Sequence, residues 1–261
     1  MSQSRLPSIS LQPFEGRRIL VSGAGSGIGR AIAIDLAAQG AKLVLLGRNE
    51  QNLAETQALL ATGRDATILP MDLTALDQII PKVIELVGHV GRLYGLCHCA
   101  GVVQTLPLAA STPARIEAMM RLNFSAGLEL CRALTRREVL HEQGGTMLWI
   151  ASVYAHVGAP GQTGYAASKG AITAALRSLA LELAPRHVRV NCLSPGFVAS
   201  AMTGTHNSQL SAEQWARIVA MHPLGAGKPD DVARAASFLL DPRNTWITGT
   251  DLIIDGGYTL R

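Results

Sequence analysis

Short apolar runs of strand length alternate along the whole chain with longer stretches in which apolar residues return every three or four positions. The runs predict strands at Arg18–Ser22, Lys42–Leu46, Ala66–Pro70, Leu93–His98, Thr146–Ala151, Val188–Cys192 and Asp251–Asp255. The helical periodicity predicts helices over Gly27–Gln39, Glu50–Ala61, Thr74–Val87, Pro113–His141, Gly164–Ala184 and Pro229–Leu240. Strand and helix in strict alternation form the pattern of an α/β protein, a Rossmann-type doubly wound parallel sheet of seven strands with helices on both faces. Residues 16–261 then form a single domain behind a loose arm over residues 1–15. The exception to the alternation is the segment Phe197–Gly227, rich in Gly, Ser, Thr, Asn and His with one helical piece at Ala212–Met221. A segment this long inside a compact domain reads as a substrate lid over about residues 198–227.

Composition narrows the class. With 48% hydrophobic and 16% charged residues in 261, a chain of this size buries roughly three quarters of its unfolded surface on folding, and disorder is excluded. No uncharged stretch supplies the ~20 apolar residues of a membrane span, and the first residues lack the apolar core of a signal peptide. The net charge of +4 is scattered rather than gathered, so nucleic acid is not indicated as a partner. Cys97, Cys99, Cys131 and Cys192 lack metal-site spacing and read as buried free thiols in a reducing, cytoplasmic setting. No metal site is expected.

Directly after the first predicted strand comes SGAGSGIG, with Gly23, Gly27 and Gly29 opening into an amphipathic helix. Glycines there permit a tight turn and let the backbone approach a pyrophosphate, whose charge meets amide donors and the positive helix end. The G-x-x-x-G-x-G spacing resembles the cofactor loop of the short-chain dehydrogenase/reductase family. That family's fold is a single doubly wound domain of about this length.

YAASK puts Tyr165 and Lys169 one helical turn apart on one face. A nearby ammonium favours the phenolate and brings a tyrosine towards use as acid and base; the bland alternative is an amphipathic surface pair. Ser152 ends the apolar run TMLWIA, at the carboxyl edge where open sheets bind ligands. A strand-end serine followed after thirteen residues by YxxxK resembles the family's active site. The resemblance implies that Ser152 polarises a carbonyl, Tyr165 donates the proton, Lys169 holds the nicotinamide ribose, and Asn123 in RLNFSAG supports a proton relay. It also implies cofactor contacts from Gly23, Ser26, Gly27, Ile28 and Gly29 at the pyrophosphate, Asp72 and Leu73 at the adenine, and Ala100 and Gly101 after the fourth strand. Pro195, Gly196 and Val198 in SPGFV complete the set at the nicotinamide, beside Tyr165 and Lys169. Ser200 stands where the family usually has threonine. Asp72 also reads as a helix cap.

One departure stands out: the family's Asn-Ala-Gly is here Cys99, Ala100 and Gly101. A thiol cannot supply the amide hydrogen bonds that brace the central strands, so a looser joint is expected at Cys99. At the end of the second strand no acid faces the ribose; LLGRN offers Gly47, Arg48 and Asn49 instead. The guanidinium fork suits a 2′-phosphate, so NADP(H) is the expected cofactor, bound at Arg48 and Asn49, with NAD(H) as the alternative.

The expected activity is the reduction of a ketone or oxidation of a secondary alcohol. Its substrate is left open between a hydrophobic ketone, a 3-oxoacyl thioester as in 3-oxoacyl-carrier-protein reductases, and a polyol. A non-catalytic nicotinamide sensor is the rival reading, against which the intact Ser, Tyr and Lys weigh. Ala166, Ala167, Ala171, Ala174 and Ala175 leave a small-residue face on the helix after Tyr165, and the resemblance implies pairing there in a homotetramer or homodimer.

Overall fold

A computed structural model describes residues 12–61, 63–199 and 211–260. Ser200 and residues 201–210 of the expected lid lie outside the described residues, as do residues 1–11 of the expected arm. The rest of that arm packs rather than dangles: Phe14 is fully buried and its amide donates to the Gln39 carbonyl at 3.2 Å.

Seven strands form one parallel sheet: β1 (Arg18–Ser22), β2 (Lys42–Gly47), β3 (Ala66–Pro70), β4 (Gly95–His98), β5 (Gly145–Ile150), β6 (Val188–Pro195) and β7 (Asp251–Ile254). Their order is β3-β2-β1-β4-β5-β6-β7. Covering helices are α1 (Gly27–Ala38), α2 (Glu50–Ala58), α3 (Leu76–Val90), α4 (Pro113–Met120), α5 (Ala126–Leu134), α6 (Thr163–Leu183), α7 (Ala212–Ala220) and α8 (Pro229–Leu240). The central strands read as unbroken apolar runs because both faces of the sheet are covered. Period-two alternation then sorts their side chains between two cores. Leu20, Val44, Leu96, Met147 and Trp149 face α3, α5 and α6; Ile19, Val21, Leu43, Leu45 and Leu148 face α1 and α8.

The order in which successive strands are added reverses between β1 and β4, which stay parallel. At such a point the loops leaving adjacent strands diverge to opposite faces and open a crevice above the carboxyl ends. Among the described residues, the candidate site residues read from the sequence lie at the carboxyl ends of the strands, on the loops that leave them or on the helices that follow, with Pro195 the last residue of β6.

The helix expected over Pro113–His141 is interrupted and shorter. Arg121–Ser125 forms a π turn between α4 and α5, and α5 stops at Leu134. Helical periodicity persists through a π turn, so hydrophobic spacing alone does not announce it; such turns concentrate at functional sites.

Where β4 and β5 meet α5, Gly127 is required by space. A Cβ there would lie 2.7 Å from His98 Cδ2 and 2.9 Å from Trp149 Cζ3. Gly127→Ala is therefore expected to cost about 1–3 kcal/mol through overpacking, read as a lower urea midpoint; an unchanged midpoint would show that the two rings can retreat.

Candidate active site

The turn between β1 and α1 is shaped by two close approaches. Gly23 has φ +69° and a Cβ on it would sit 2.9 Å from the Ala100 nitrogen; one on Gly29 would sit 2.3 Å from the Gly23 carbonyl oxygen. Neither position admits a side chain, so the backbone itself forms the floor of the crevice. Ser26, the N-cap of α1, makes no side-chain capping bond, and the first turn carries no acid. The amide donors and positive end of α1 are thus left for an anion. Arg30 and Thr56 hold the turn from behind: Arg30 Nη2 donates to the Gly25 carbonyl at 2.6 Å and Thr56 Oγ1 to the Ala24 carbonyl at 2.8 Å. Sequence reading missed both, since neither belongs to the glycine pattern.

Across the switch point, the expected loose joint at Cys99 is braced by other groups. Ser22 Oγ accepts from the Cys99 and Ala100 amides, both at 3.2 Å. Its own proton is then committed to His98 Nδ1 at 2.8 Å, so the imidazole carries its hydrogen on Nε2. Nε2 is buried without a hydrogen-bond partner among the described residues, with the Leu122 and Asn123 backbone near enough to pull the ring's pKa upward. Burial, with the Lys169 charge adding to it, lowers His98 to about 3, so the ring stays neutral. Ser22 and His98 do the bracing that the family's asparagine would have done. The Cys99 thiol lies 3.5 Å from Cys97 Sγ.

Ser152, Tyr165 and Lys169 converge above β5. Ser152 starts a single 3₁₀ turn and its hydroxyl accepts from the Tyr154 amide at 3.3 Å. It also lies near enough to the Tyr165 hydroxyl to lower the phenol's pKa, yet burial outweighs that and pushes Tyr165 up to about 12. The expected downward pull from Lys169 is therefore not the dominant influence in this structure. Lys169 is itself buried; Nζ donates to the Ile150 carbonyl at 2.8 Å and lies 5.7 Å from the Tyr165 ring centre. Loss of hydration lowers its pKa to about 8, against the partial opposition of Cys99 and Cys192.

Asn123 is fully buried in the π turn. Its Oδ1 accepts from the Val102 amide at 2.8 Å, while Nδ2 donates to the Val102 carbonyl at 3.0 Å and to Ser168 Oγ at 2.9 Å. The side chain thus clamps the loop after β4 to α6, one residue before Lys169. A Cβ on Gly101 would come within 3.1 Å of Asn123 Oδ1 and 3.5 Å of Lys169 Nζ.

A cavity of about 1100 Å³ joins these groups. Its lining includes Gly23, Ser26, Gly27, Ile28 and Gly29 at one end, then Arg48, Asn49 and Leu73. Ala100, Gly101, Ser152, Tyr165 and Lys169 line its middle, with Pro195, Gly196 and Val198 opposite. Two predicted residues stand outside the lining. Asn123 lies behind it, as the clamp just described, and Asp72 spends Oδ1 on the Thr74 amide and hydroxyl, both at 2.9 Å. The glycine floor, the open end of α1 and the length of the cavity fit a dinucleotide. At the β2 end, Asn49 caps α2 by accepting from the Asn52 amide at 3.0 Å, and the exposed Arg48 is close enough to help lower the Asp72 carboxyl.

Fold and site together define the class of dinucleotide-dependent oxidoreductases built on a doubly wound sheet. A family model described as enoyl-(acyl carrier protein) reductase matches residues 23–259. The 3-oxoacyl-acyl-carrier-protein reductase FabG of Chlamydia pneumoniae is 32% identical over 246 residues, 94% of this chain and 97% of that protein. Glucose 1-dehydrogenase of Gluconobacter oxydans is 32% identical over 98% of this chain and 96% of its own length. A solved short-chain type dehydrogenase/reductase from Mycobacterium ulcerans superposes with a TM-score of 0.87 at 31% identity, covering 95% of this chain and 91% of that one. The chain belongs to the short-chain dehydrogenase/reductase family. It is an oxidoreductase of CH–OH and C=O groups that uses a nicotinamide cofactor.

Burying Lys169 has a thermodynamic signature. Below about pH 8 both folded and unfolded chains carry the charge and the folded state bears its full desolvation cost, on the order of 3 kcal/mol. Between about 8 and the ordinary lysine value near 10.5 the folded chain sheds its proton first, so this cost fades as pH rises. The stability of wild type relative to Lys169→Met, from urea titrations, should thus improve between pH 7 and 9.5 by about 1–2 kcal/mol. A pH-independent difference would place the ammonium in water.

Proposed function

We propose that the protein is an NADP(H)-dependent oxidoreductase interconverting a ketone and a secondary alcohol, with Tyr165 as proton donor and acceptor. The single observation that carries this reading is the meeting of the Ser152 and Tyr165 hydroxyls beside the buried Lys169 ammonium. The nicotinamide supplies or accepts the hydride when bound. Residues at the glycine turn (Gly23, Ser26, Gly27, Ile28, Gly29) would hold the pyrophosphate, Leu73 and Asp72 the adenine side, and Ala100, Gly101, Pro195, Gly196 and Val198 the reactive end. Ser152 holds the carbonyl oxygen by hydrogen bonding and Tyr165 gives it a proton. A phenol near 12 is fully protonated at neutral pH and so is ready to act as acid in reduction. Alcohol oxidation needs the opposite form and is expected to quicken as pH rises through the alkaline range. Lys169 fixes the field beside the phenol, and Asn123 keeps α6 in register with the β4 loop.

Arg48 and Asn49 favour a 2′-phosphate because no carboxylate stands at the end of β2. The small side chains of α6 support a homotetramer or homodimer: Ala167 and Ala174 are exposed while Ile172, Leu176 and Ala180 pack inward. The stretch 198–227 acts as the substrate lid.

Tyr165→Phe should reduce ketone turnover at least about 10²-fold while NADPH still binds by fluorescence; undiminished turnover would refute the role. In the same assay, Arg48→Ala should raise the KM for NADPH about tenfold or more and leave that for NADH nearly unchanged. A wild-type preference for NADH would overturn the cofactor assignment.

A further inference from the structure

Only four Phe, three Trp and four Tyr occur in the 261 residues, yet the catalytic cavity has gathered a disproportionate share of them. Tyr154, Tyr165, Phe197 and Tyr258 all line it. Trp215 backs Phe197 edge-to-face at 5.1 Å, and His222, another lining residue, stacks on Tyr258 at 4.8 Å and 20°. Tyr154 meets Tyr165 edge-to-face at 6.2 Å and 79°. The core does not account for them: Phe14 and Trp149 are completely enclosed, whereas these four rings keep part of their surface open.

The backbone beside several of these rings is anchored by hydrogen bonds. Tyr154 is fixed through its amide on Ser152 Oγ. Tyr258 follows Asp255, whose carboxylate accepts from the Gly257 amide at 2.9 Å and from the Thr259 amide and hydroxyl at 2.7 Å. His222 Nε2 accepts from the Phe197 amide at 3.1 Å, so its hydrogen is on Nδ1, which donates to the Ile218 carbonyl at 2.8 Å.

From this arrangement we infer the substrate class: a ketone, or its alcohol, attached to a planar ring. The inference rests on the oxidoreductase reading and deepens it. Partly exposed aromatic rings reward a flat partner, which meets them edge-to-face or offset and loses few chain rotors on binding. A linear acyl chain buries similar area but must freeze its torsions and gains no quadrupole contact. Ser152 with Tyr165 then takes the carbonyl oxygen of a ring seated against these faces.

The test compares propiophenone with 3-nonanone, ketones of equal carbon number, using whichever nicotinamide supports turnover. Wild type should favour the aryl ketone by about tenfold or more in kcat/KM, the scale expected from two ring contacts. Tyr258→Leu should bring that ratio close to one, chiefly through KM, and Tyr258→Phe should keep it. Calorimetry on cofactor-loaded Tyr165→Phe should show the same ranking in Kd, which separates recognition from chemistry. Turnover of both ketones at similar efficiency, or a ratio that survives Tyr258→Leu, would overturn the aromatic subsite and leave the oxidoreductase intact. Absence of Tyr165-dependent turnover with either ketone and either nicotinamide would overturn the function itself.

Discussion

The Ser22 hydroxyl sits where the two halves of the sheet part company, and its three hydrogen bonds account for much of what lies above it. Two amides of the β4 loop end on its lone pairs and its proton ends on His98. These bonds bring the Ala100 backbone against Gly23, close enough that neither strand end tolerates a further atom. The glycine turn and the Ala100–Gly101 turn are thereby set in one plane as the floor of the cavity. From His98 the same chain of contacts runs to the π turn, to Asn123, and through Ser168 to the helix that carries Tyr165 and Lys169. The glycine turn and the Tyr165–Lys169 helix are thus each tied to the β4 loop by buried polar groups, which meet through packing at His98.

At that helix the electrostatics are those of a dry site. Tyr165 is pushed up and Lys169 down, both mainly by burial. Each is driven towards its neutral form, and the lysine retains a carbonyl partner at Ile150 to offset lost hydration. An acid that stays protonated beside a cation with reduced hydration suits proton delivery to an oxygen, because little solvent must rearrange when charge develops.

Much of this was legible from residue order. The seven strands were readable because strands covered on both faces carry unbroken apolar runs, and the glycine turn because its spacing has a steric meaning. Ser152, Tyr165 and Lys169 were readable because strand end and helical turn fix their directions. What escaped the reading was anything set by packing between distant segments. Arg30 and Thr56 reach the turn from helices, the π turn at Asn123 keeps the helical hydrophobic rhythm, and the bracing role of His98 emerges only when β1 lies beside β4. The direction of the Tyr165 shift escaped too, since spacing announces the lysine but not the burial that outweighs it. Phe14 was assigned to an arm because a lone aromatic in a polar stretch gives no period to read.

Part of the ring wall of the cavity has a separate origin from Ser152, Tyr165 and Lys169. Tyr258 comes from the last turn of the chain, His222 follows α7, and Phe197 follows β6, whereas Ser22, His98, Asn123 and Lys169 are locked into the sheet and its central helix. Part of recognition would therefore rest on segments outside the central strands and α6, while Tyr154 and Tyr165 belong to the same stretch as Ser152 and Lys169. Drift in the tail can retune which molecules are accepted without disturbing proton transfer, a division of labour through which one scaffold can diversify its diet while its reaction stays fixed.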